Sequence, residues 1–249
     1  MFNLKVDNYI YLLSTRSTNQ SVQDMLSKNN PVSNLCLYTD KQTQGRGQIG
    51  RNWFSDEYKN LTLSYLFNLN LSTGRHFDLN IALTLALSDF LRELLPRETI
   101  KIKWPNDIYV GNNKIAGILI QNMIRGKTIL HSILGIGINI NQEQFPEEIP
   151  NPVSVRQLIQ KEHDLIDLVF SLEAFILNRF TIMSLTKKRN KDNYIEDLFR
   201  IEEAHEFILN ANKKRFMGII KGVSEEGQLI IEASGQKQNY NFREISFII

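Results

Sequence analysis

The stretch that decides the fold runs from residue 100 to residue 141 and reads IKIKWPNDIYVGNNKIAGILIQNMIRGKTILHSILGIGININ. Three of its runs are rich in β-branched residues and predict strands, at residues 100–103, 114–123 and 128–141. Asn112 and Asn113 suit a tight turn before the second strand. Such a turn would bring Asp107 and Lys114 close together at a strand end, where functional sites often lie.

Outward from this stretch, helical and strand patterns alternate. The clearest helix is predicted over residues 78–95, because apolar residues recur there at helical spacing and Pro96 follows. Further helices are predicted at residues 17–27, 154–160, 164–180 and 193–199, and further strands at residues 9–13, 35–39 and 61–67. This order of helices and strands agrees with the α+β class that a family resemblance, given below, implies.

The pattern changes from about Glu203 onward. Short apolar runs, with turn signals and no helix between them, predict strands at residues 206–209, 215–223, 228–232 and 240–248. Closely spaced strands of this kind predict a small antiparallel barrel. We therefore divide the chain into a first domain of residues 1–202 and a second of residues 203–249.

The composition excludes several classes of protein. Of 249 residues, 42% are hydrophobic and 22% charged, which is typical of globular chains and not of disordered or fibrous ones. The 29 basic and 27 acidic residues give a net charge of +2, which excludes a globally basic nucleic-acid coat. Cys36 is the single cysteine, so we expect a reducing compartment, the cytoplasm. The chain has no run of about 18 uninterrupted apolar residues, so no membrane span is expected.

A glycine-rich loop occupies residues 45–51 and reads Gly45-Arg46-Gly47-Gln48-Ile49-Gly50-Arg51. It matches the dinucleotide fingerprint G-x-G-x-x-G, but the residues that follow have no amphipathic helical pattern, which that fingerprint requires. It is not a Walker P-loop either, because Arg51 and Asn52 stand where lysine and Ser/Thr are needed. Its glycines and guanidinium groups suit a flexible loop that grips phosphate or a developing anion. An ordinary solvated surface loop is the alternative.

Two further clusters are unusual. The first is Lys103-Trp104-Pro105-Asn106-Asp107, followed by Lys114 and by small residues that leave room for a ligand against the backbone. The second is residues 135–141, where alternation places three isoleucines on one face and Gly137, Asn139 and Asn141 on the other. Taken singly, the first could be a surface turn and the second a bulged core strand.

Together these segments resemble the biotin–protein ligase family in order and spacing. The resemblance is carried by Ser17-Thr18-Asn19, the G-R-G-x-x-G-R-x-W loop ending at Trp53, K-W-P-N-D, K-x-A-G-I from Lys114, and Gly137-Ile138-Asn139. It implies a catalytic domain of the class II synthetase-like, biotin–lipoate ligase type, with a mixed sheet flanked by helices, and then an SH3-like barrel. The implied activity is the adenylation of biotin with ATP and Mg²⁺, followed by transfer of biotin to a lysine of a carrier protein.

The resemblance also implies roles for particular residues. Those at biotin would be Ser17, Thr18, Asn19, Gln42, Gly45, Arg46, Gly47, Gln48, Lys114 and Gly117. Those at ATP would be Arg51, Trp53, Asn106, Asp107, Lys114 and Asn139, with Asp107 meeting Mg²⁺ through the nucleotide phosphates. The catalytic residues would be Lys114, Arg46 and Asp107. Cations suit this chemistry because a carboxylate and a phosphate, both anionic, must be brought together.

Two departures from the family pattern matter. Gln48 stands where many relatives carry arginine, so we expect leakier retention of the biotinyl-adenylate. Only 16 residues precede Ser17, so we expect neither an N-terminal winged-helix domain nor DNA binding. The expected partner is a biotin carboxyl carrier protein, no membrane is expected, and a homodimer is compatible with the sequence. The alternatives are a lipoate–protein ligase and a non-catalytic biotin-binding sensor.

Overall fold

The structure is a computed structural model that describes residues 5–28, 33–48 and 50–249. Ile49, within the predicted glycine loop, lies outside the described residues. The first layer is a seven-stranded sheet with the spatial order β1-β2-β3-β7-β6-β5-β4. Its strands are β1 (Asn8–Thr15), β2 (Leu35–Gln42), β3 (Leu61–Ser72), β4 (Ile100–Lys103), β5 (Asp107–Val110), β6 (Asn113–Arg125) and β7 (Thr128–Ile138). The β1–β2 pair is parallel and the remaining pairs are antiparallel, so the sheet is mixed as expected.

Helices cover both faces of this sheet. They are α1 (Thr18–Lys28), α2 (His76–Leu94), α3 (Val155–Ile159), α4 (Leu165–Leu185) and α5 (Lys187–Glu196). Val22 and Leu26 of α1 pack with Leu66 on one face. The neighbouring Tyr65 and Phe67 belong to the larger core, which includes α2 and α4. Alternation along β3 therefore supplies both cores, and the α+β class is confirmed.

Local chemistry explains where the later helices begin. Asp164 caps α4, since its Oδ1 accepts hydrogen bonds from the backbone N–H groups of Ile166 and Asp167 at 2.8 and 3.2 Å. Ser154 and Gln157 form a capping box at the start of α3. These caps satisfy backbone groups that would otherwise lack partners in the first turn.

The second layer is a five-stranded antiparallel sheet with the order β11-β10-β9-β8-β12. Its strands are β8 (Ala204–Leu209), β9 (Arg215–Val223), β10 (Leu229–Ala233), β11 (Gln236–Tyr240) and β12 (Ile245–Phe247). It docks on the first layer where Trp104 Nε1 donates to the carbonyl oxygen of Gly227 at 2.9 Å. A Cβ atom at Gly227 would lie 2.4 Å from the Phe77 ring, so only glycine permits this close approach.

Several predicted elements need correction. The helix predicted at residues 193–199 is α5, which begins earlier, at Lys187, and ends at Glu196. The strand predicted over residues 240–248 is wrong in its first half: Tyr240 ends β11, which was not predicted, and a turn in which Arg243 has a φ of 72° separates it from β12. Strand β5 was missed because its apolar run is only three residues long and stands directly between the K-W-P-N-D motif and the turn at Gly111.

Helix α4 is long and apolar enough, by length and composition alone, to cross a membrane. The uninterrupted apolar run expected of such a segment is absent from the sequence, so this helix was not predicted as a span. Its buried residues include Leu172, Ile176 and Phe180, and they join the main core. Packing of one apolar face against α2 and β3 is what a core helix does.

Candidate active site

A cavity of about 330 Å³ lies between the glycine loop, the ends of β5–β7 and the C-terminal sheet. Thirteen of the fifteen predicted site residues line it. They are Ser17, Thr18, Asn19, Gln42, Arg46, Gly47, Gln48, Arg51, Trp53, Asn106, Asp107, Lys114 and Gly117. The fold therefore brings together motifs that are almost 100 residues apart in the chain.

One part of the cavity, which we call the neutral end, is lined by residues 17–19 and Gln42, and the buried Ser64 supports them from behind. The backbone N–H of Thr18 donates to Gln42 Oε1 at 2.9 Å. Ser64 Oγ lies 2.7 Å from Thr18 Oγ1 and 2.6 Å from Asn19 Oδ1. The first turn of α1 is thereby fixed to β2 and β3 without any charged group.

Asn19 is also held by two residues of β6. Its Nδ2 donates to the carbonyl oxygen of Leu119 at 3.2 Å and to Gln121 Oε1 at 3.0 Å. Gly135 allows this, since a Cβ atom there would lie 2.2 Å from Asn19 Oδ1. The neutral end is therefore a rigid set of hydroxyl and amide groups that can both donate and accept hydrogen bonds.

The opposite end, which we call the charged end, centres on the ion pair between Lys114 and Asp107. The Nζ and Oδ1 atoms are 2.6 Å apart. Antiparallel pairing of β5 with β6 around the turn at Gly111 produces this contact. The prediction that a tight turn brings Asp107 and Lys114 together is confirmed.

Positive charge exceeds negative charge around the cavity as a whole. Among the described residues that line the cavity, Asp107 is the single carboxylate, whereas five side chains are cationic. These are Arg46, Arg51, Lys103, Lys114 and Arg243. A cavity with this excess of cations attracts a polyanion.

Lys103 has an unusual environment within the charged end. Its Nζ lies 5.1 Å from the ring centre of Tyr109 and 5.4 Å from that of Phe247, and it donates to the Tyr109 hydroxyl at 3.2 Å. Burial lowers the pKa of Lys103 to about 8, although the nearby Asp107 carboxylate acts in the opposite direction. Nearby Lys114, Arg51 and Arg200 lower it further.

Trp53 packs against β7 beside Lys114, whose Nζ lies 5.7 Å from the centre of the Trp53 ring. Its indole ring lies so close to β7 that a Cβ atom at Gly137 would be 2.2 Å from Trp53 Cε2. Gly135 and Gly137, on the glycine side of the β7 alternation, line the cavity, whereas Asn139 on the same side does not. Trp53 Nε1 is buried and has no hydrogen-bond partner among the described residues. A bound ligand that offers an acceptor there would satisfy it.

The glycine loop forms a flap, which we define as residues 45–48 and 50–53. Its two arms are joined by hydrogen bonds from Gly47 N to Arg51 O at 2.9 Å and from Trp53 N to Gly45 O at 2.9 Å. No helix follows it, which agrees with the rejection of a dinucleotide fingerprint. The Arg46 side chain reaches across to helix α1, where Nη1 donates to Gln20 Oε1 at 3.0 Å.

Some predicted residues have structural partners instead of facing the cavity. Gly45 and Asn139 are not among the lining residues. Asn139 Nδ2 donates to the carbonyl oxygen of Val153 at 3.0 Å. Asn106 does line the cavity, but its side-chain amide donates to the backbone oxygen of Ile118 and so holds the K-W-P-N-D turn against β6.

Other lining or supporting residues were missed by sequence reasoning. Ser64 and Gln121 lie within apolar strands, and Lys103 was quoted within its motif but given no role. The C-terminal sheet adds Asn210, Phe242, Arg243, Ile245, Ser246 and Phe247. Nothing local in the sequence indicates that Ser64, Gln121 or the C-terminal residues line or support the cavity. Lys103 could have been found, because it stands at the end of a predicted strand.

The side chains that line the cavity offer Mg²⁺ a single carboxylate, that of Asp107. No group of three or more metal-ligating side chains that could hold a metal occurs among the described residues. Mg²⁺ commonly binds through one or two carboxylates together with substrate phosphates and water. Asp107, exposed to the cavity beside several cations, fits this second arrangement.

Comparison with known proteins agrees with this geometry. Residues 11–139 match the Biotin/lipoate A/B protein ligase family. The chain is 28% identical over 237 residues to the bifunctional ligase/repressor BirA of Escherichia coli, covering 92% of this chain and 71% of that protein. It is 35% identical over 133 residues to biotin–protein ligase 2 of Arabidopsis thaliana, which covers 50% of this chain and 39% of that protein.

A solved structure is similar over almost the whole fold. The biotin protein ligase from Aquifex aeolicus in complex with biotin and ATP superposes with a TM-score of 0.76 and 27% identity, covering 96% of this chain and 98% of that one. The resemblance that the motifs predict is therefore confirmed. On the match over residues 11–139, the chain belongs to the biotin/lipoate A/B protein ligase family.

Proposed function

We propose that this protein is an ATP-dependent biotin–protein ligase, which converts biotin to biotinyl-5′-AMP and then transfers biotin to a specific lysine of a biotin carboxyl carrier protein. The observation that carries the proposal is the division of one cavity into a neutral end and a charged end. Biotin has the same division, with an uncharged ureido ring at one end and a carboxylate at the other. The similarity to ligases named for biotin supports the same conclusion.

The neutral end suits the ureido ring. That ring offers N–H donors and a carbonyl acceptor, and Thr18, Asn19 and Gln42 offer hydroxyl and amide groups of both kinds. Because Ser64 and Gln121 already hold these groups in place, little ordering is needed when the ligand binds. Ser17 and Gly117 line the same cavity and complete its wall.

The charged end suits adenylation. One biotin carboxylate oxygen attacks the α-phosphorus of ATP, a new P–O bond forms, and the bond to pyrophosphate breaks. Lys114 and Arg46 would offset the repulsion between the two anions, and Arg51 would meet the remaining phosphates. Asp107 would hold Mg²⁺, which supplies additional positive charge to the phosphates when bound.

Transfer then needs no covalent enzyme nucleophile. The amine of the acceptor lysine attacks the carbonyl carbon of the mixed anhydride, an amide bond forms, and AMP leaves. The mixed anhydride hydrolyses if water reaches it, so the flap has a clear use as a cover. Trp53 packs at the base of this cover, with Gly47 and Gln48 above the cavity.

We extend the proposal to the organisation of the chain. Residues 1–202 would form the class II synthetase-like catalytic domain, and the five-stranded sheet within residues 203–249 would be an SH3-like barrel that supplies one wall of the cavity. The expected setting is the cytoplasm, and the expected partner is the carrier domain of a biotin-dependent carboxylase. Neither DNA nor a membrane is an expected partner, and a homodimer is compatible with the fold.

The proposal is tested by incubating the protein with ATP, Mg²⁺, an unmodified carrier domain and either biotin or lipoic acid. We expect release of pyrophosphate with biotin and a mass increase of one biotinyl group on the carrier. Modification with lipoic acid alone would identify a lipoate–protein ligase. Biotin binding without pyrophosphate release would identify a non-catalytic sensor, and either result would overturn the proposal.

A further inference from the structure

Outside the cavity, three side chains form a short hydrogen-bonded chain that leads to the flap. Gln20 Nε2 donates to Asp24 Oδ1 at 2.9 Å. Gln20 Oε1 accepts from Arg46 Nη1 at 3.0 Å. Neither Gln20 nor Asp24 lines the cavity, whereas Arg46 does.

The chemistry of the three groups fixes the direction of this chain. An ionised carboxylate can only accept hydrogen bonds, so Asp24 holds the amide N–H₂ of Gln20 toward itself. The amide oxygen of Gln20 must then face the other way, toward Arg46. A guanidinium can only donate, so the oxygen is the group that Arg46 requires. Asp24 thus sets the orientation of the Gln20 amide, which could otherwise turn either its oxygen or its N–H₂ group toward Arg46.

Helix α1 and the flap, which the hydrogen bond between Gln20 and Arg46 connects, differ in how firmly they are held. Helix α1 is anchored by the buried side chains of Val22 and Leu26, and by Thr18 and Asn19 at the neutral end. The flap is a short hairpin whose described arms are joined only to each other by backbone hydrogen bonds from Trp53 to Gly45 and between Gly47 and Arg51. The contact between Gln20 and Arg46 therefore ties the flap to a fixed element next to the predicted biotin site.

We propose that Gln20 is a positioning residue that holds the Arg46 guanidinium of the flap at the cavity wall, with Asp24 orienting its amide, and thereby slows the escape of the acyl-adenylate. This inference rests on the function proposed above. A guanidinium has five N–H donors in a fixed fork, so one can bind Gln20 while others face an anion. Gln20 therefore acts through Arg46 and does not itself touch the ligand.

The test compares four variants in a retention experiment. Each protein is loaded with labelled biotin, ATP and Mg²⁺, an excess of unlabelled biotinyl-adenylate is added, and loss of the label is followed. Gln20→Met removes the hydrogen bond but keeps the length of the side chain. Gln23→Met is the matched control, because Gln23 is exposed on the same helix and its side chain has no hydrogen-bond partner among the described residues.

We expect Gln20→Met to shorten retention by about threefold to tenfold, the effect of losing one partly exposed hydrogen bond to a charged group. Asp24→Ala should shorten it by less, because the Gln20 amide is then free to turn. Gln20→Glu keeps an acceptor for Arg46 but puts a second carboxylate beside Asp24, so it should lose the adenylate faster than the natural protein does and more slowly than Gln20→Met does. The Gln23→Met control should behave as the natural protein does.

Three results would overturn the inference. One is retention in Gln20→Met within twofold of the natural protein, and another is equal shortening in Gln23→Met. The third is a Gln20→Glu variant that loses the label as fast as Gln20→Met. Thermal unfolding of each variant separates positioning from folding, because a merely structural Gln20 would lower the unfolding midpoint and retention together.

The outcome is also separable from that of the proposed function. Formation of labelled adenylate by the natural protein is measured first, as release of pyrophosphate. If no pyrophosphate is released, the proposed ligase activity is refuted, because no adenylate has formed. Release of pyrophosphate, followed by equal retention in the natural protein and Gln20→Met, refutes only the role of Gln20.

Discussion

The two ends of the cavity are built in opposite ways. At the neutral end, Thr18, Asn19 and Gln42 already hydrogen-bond to one another or to neighbouring side chains and backbone. The charged end has the ion pair of Lys114 with Asp107, and five cations face that single carboxylate among the described residues that line the cavity. The first end is complete without a ligand, whereas the second has an excess of like charge that only an anion can relieve.

The difference shows how one cavity can both bind biotin and promote its reaction with ATP. A rigid, internally satisfied set of polar groups costs little to order and selects a ligand by shape and hydrogen bonding. Cations in a partly buried site lose hydration and repel one another. Burial chiefly, and nearby Lys114, Arg51 and Arg200 to a smaller extent, lower the pKa of Lys103. We therefore expect changes at the charged end to alter the reaction, and changes at the neutral end to alter biotin affinity.

The largest effect is expected from Lys114→Ala. Removal of the ammonium group from between the carboxylate and the phosphate should lower turnover at least about 100-fold, as loss of one electrostatic group in a transition state does. Pyrophosphate release under biotin saturation measures this. The matched control is Lys127→Ala, an exposed lysine in the β6–β7 turn. Lys114→Ala should unfold near the natural temperature, and a near-normal rate in this variant would refute the role assigned to Lys114.

Arg46→Ala should come next in size. Loss of the guanidinium group of the flap should speed dissociation of the biotinyl-adenylate by about tenfold or more, because a charge-assisted hydrogen bond to the ligand is lost. The rate of the first turnover should change less than the rate of dissociation. Retention of the adenylate after a chase measures the effect, and an unchanged dissociation rate would mean that the flap does not contact the intermediate.

At the neutral end, Ser64→Ala should weaken biotin affinity by about fivefold to tenfold. Ser64 is fully buried and contacts both Thr18 and Asn19, so its removal leaves Asn19 Oδ1 without one partner. Calorimetric titration with biotin measures the affinity, and stopped-flow kinetics at saturating biotin should show a near-natural rate of adenylation. A slower reaction with unchanged affinity would erase the distinction between the two ends.

A smaller, pH-dependent effect is expected from Lys103. The pKa of Lys103 is lowered to about 8, so its positive charge is present below that pH and is lost as the pH rises through it. ATP affinity should therefore decline as the pH is raised above about 8, by no more than tenfold per pH unit because one proton is involved. Lys103→Met should bind ATP less tightly at low pH and show a flatter profile. An equal slope in both proteins would exclude Lys103 as the titrating group.

The smallest effect is expected from Gln48→Arg. Gln48 lines the cavity on the flap, where many members of the family carry arginine. A sixth positive charge should lengthen retention of the biotinyl-adenylate about twofold to threefold, since a partly exposed charge contributes little. Gln48→Met controls for the loss of the amide. Equal dissociation rates in Gln48→Arg and the natural protein would discard the idea.

The sequence predicted best those parts of the site whose residues lie close together along the chain. Strands β4 and β9 were predicted with their correct bounds, and the contact between Asp107 and Lys114 followed from a turn a few residues long. Ser64 could not be found in this way, because it lies in the apolar run LTLSYLF and only packing of α1 against β3 brings it to Asn19.

The C-terminal wall of the cavity was also beyond local reasoning. Phe242 and Arg243 lie in a turn that was predicted as part of a strand, and the second sheet carries that turn to Trp104. Gln20 was missed for a related reason. It follows the motif Ser17-Thr18-Asn19 directly, but its partner Arg46 is 26 positions away along the chain. Contacts of this kind depend on tertiary packing, which periodicity does not report.

The central claim is that biotin spans the cavity from the neutral end to the charged end. A crystal structure with biotin and a non-hydrolysable ATP analogue tests it most directly. We predict the ureido ring within hydrogen-bond distance of Thr18, Asn19 or Gln42, and the carboxylate beside Lys114 next to the α-phosphate. Biotin lying in the reverse direction, or outside this cavity, would contradict the account.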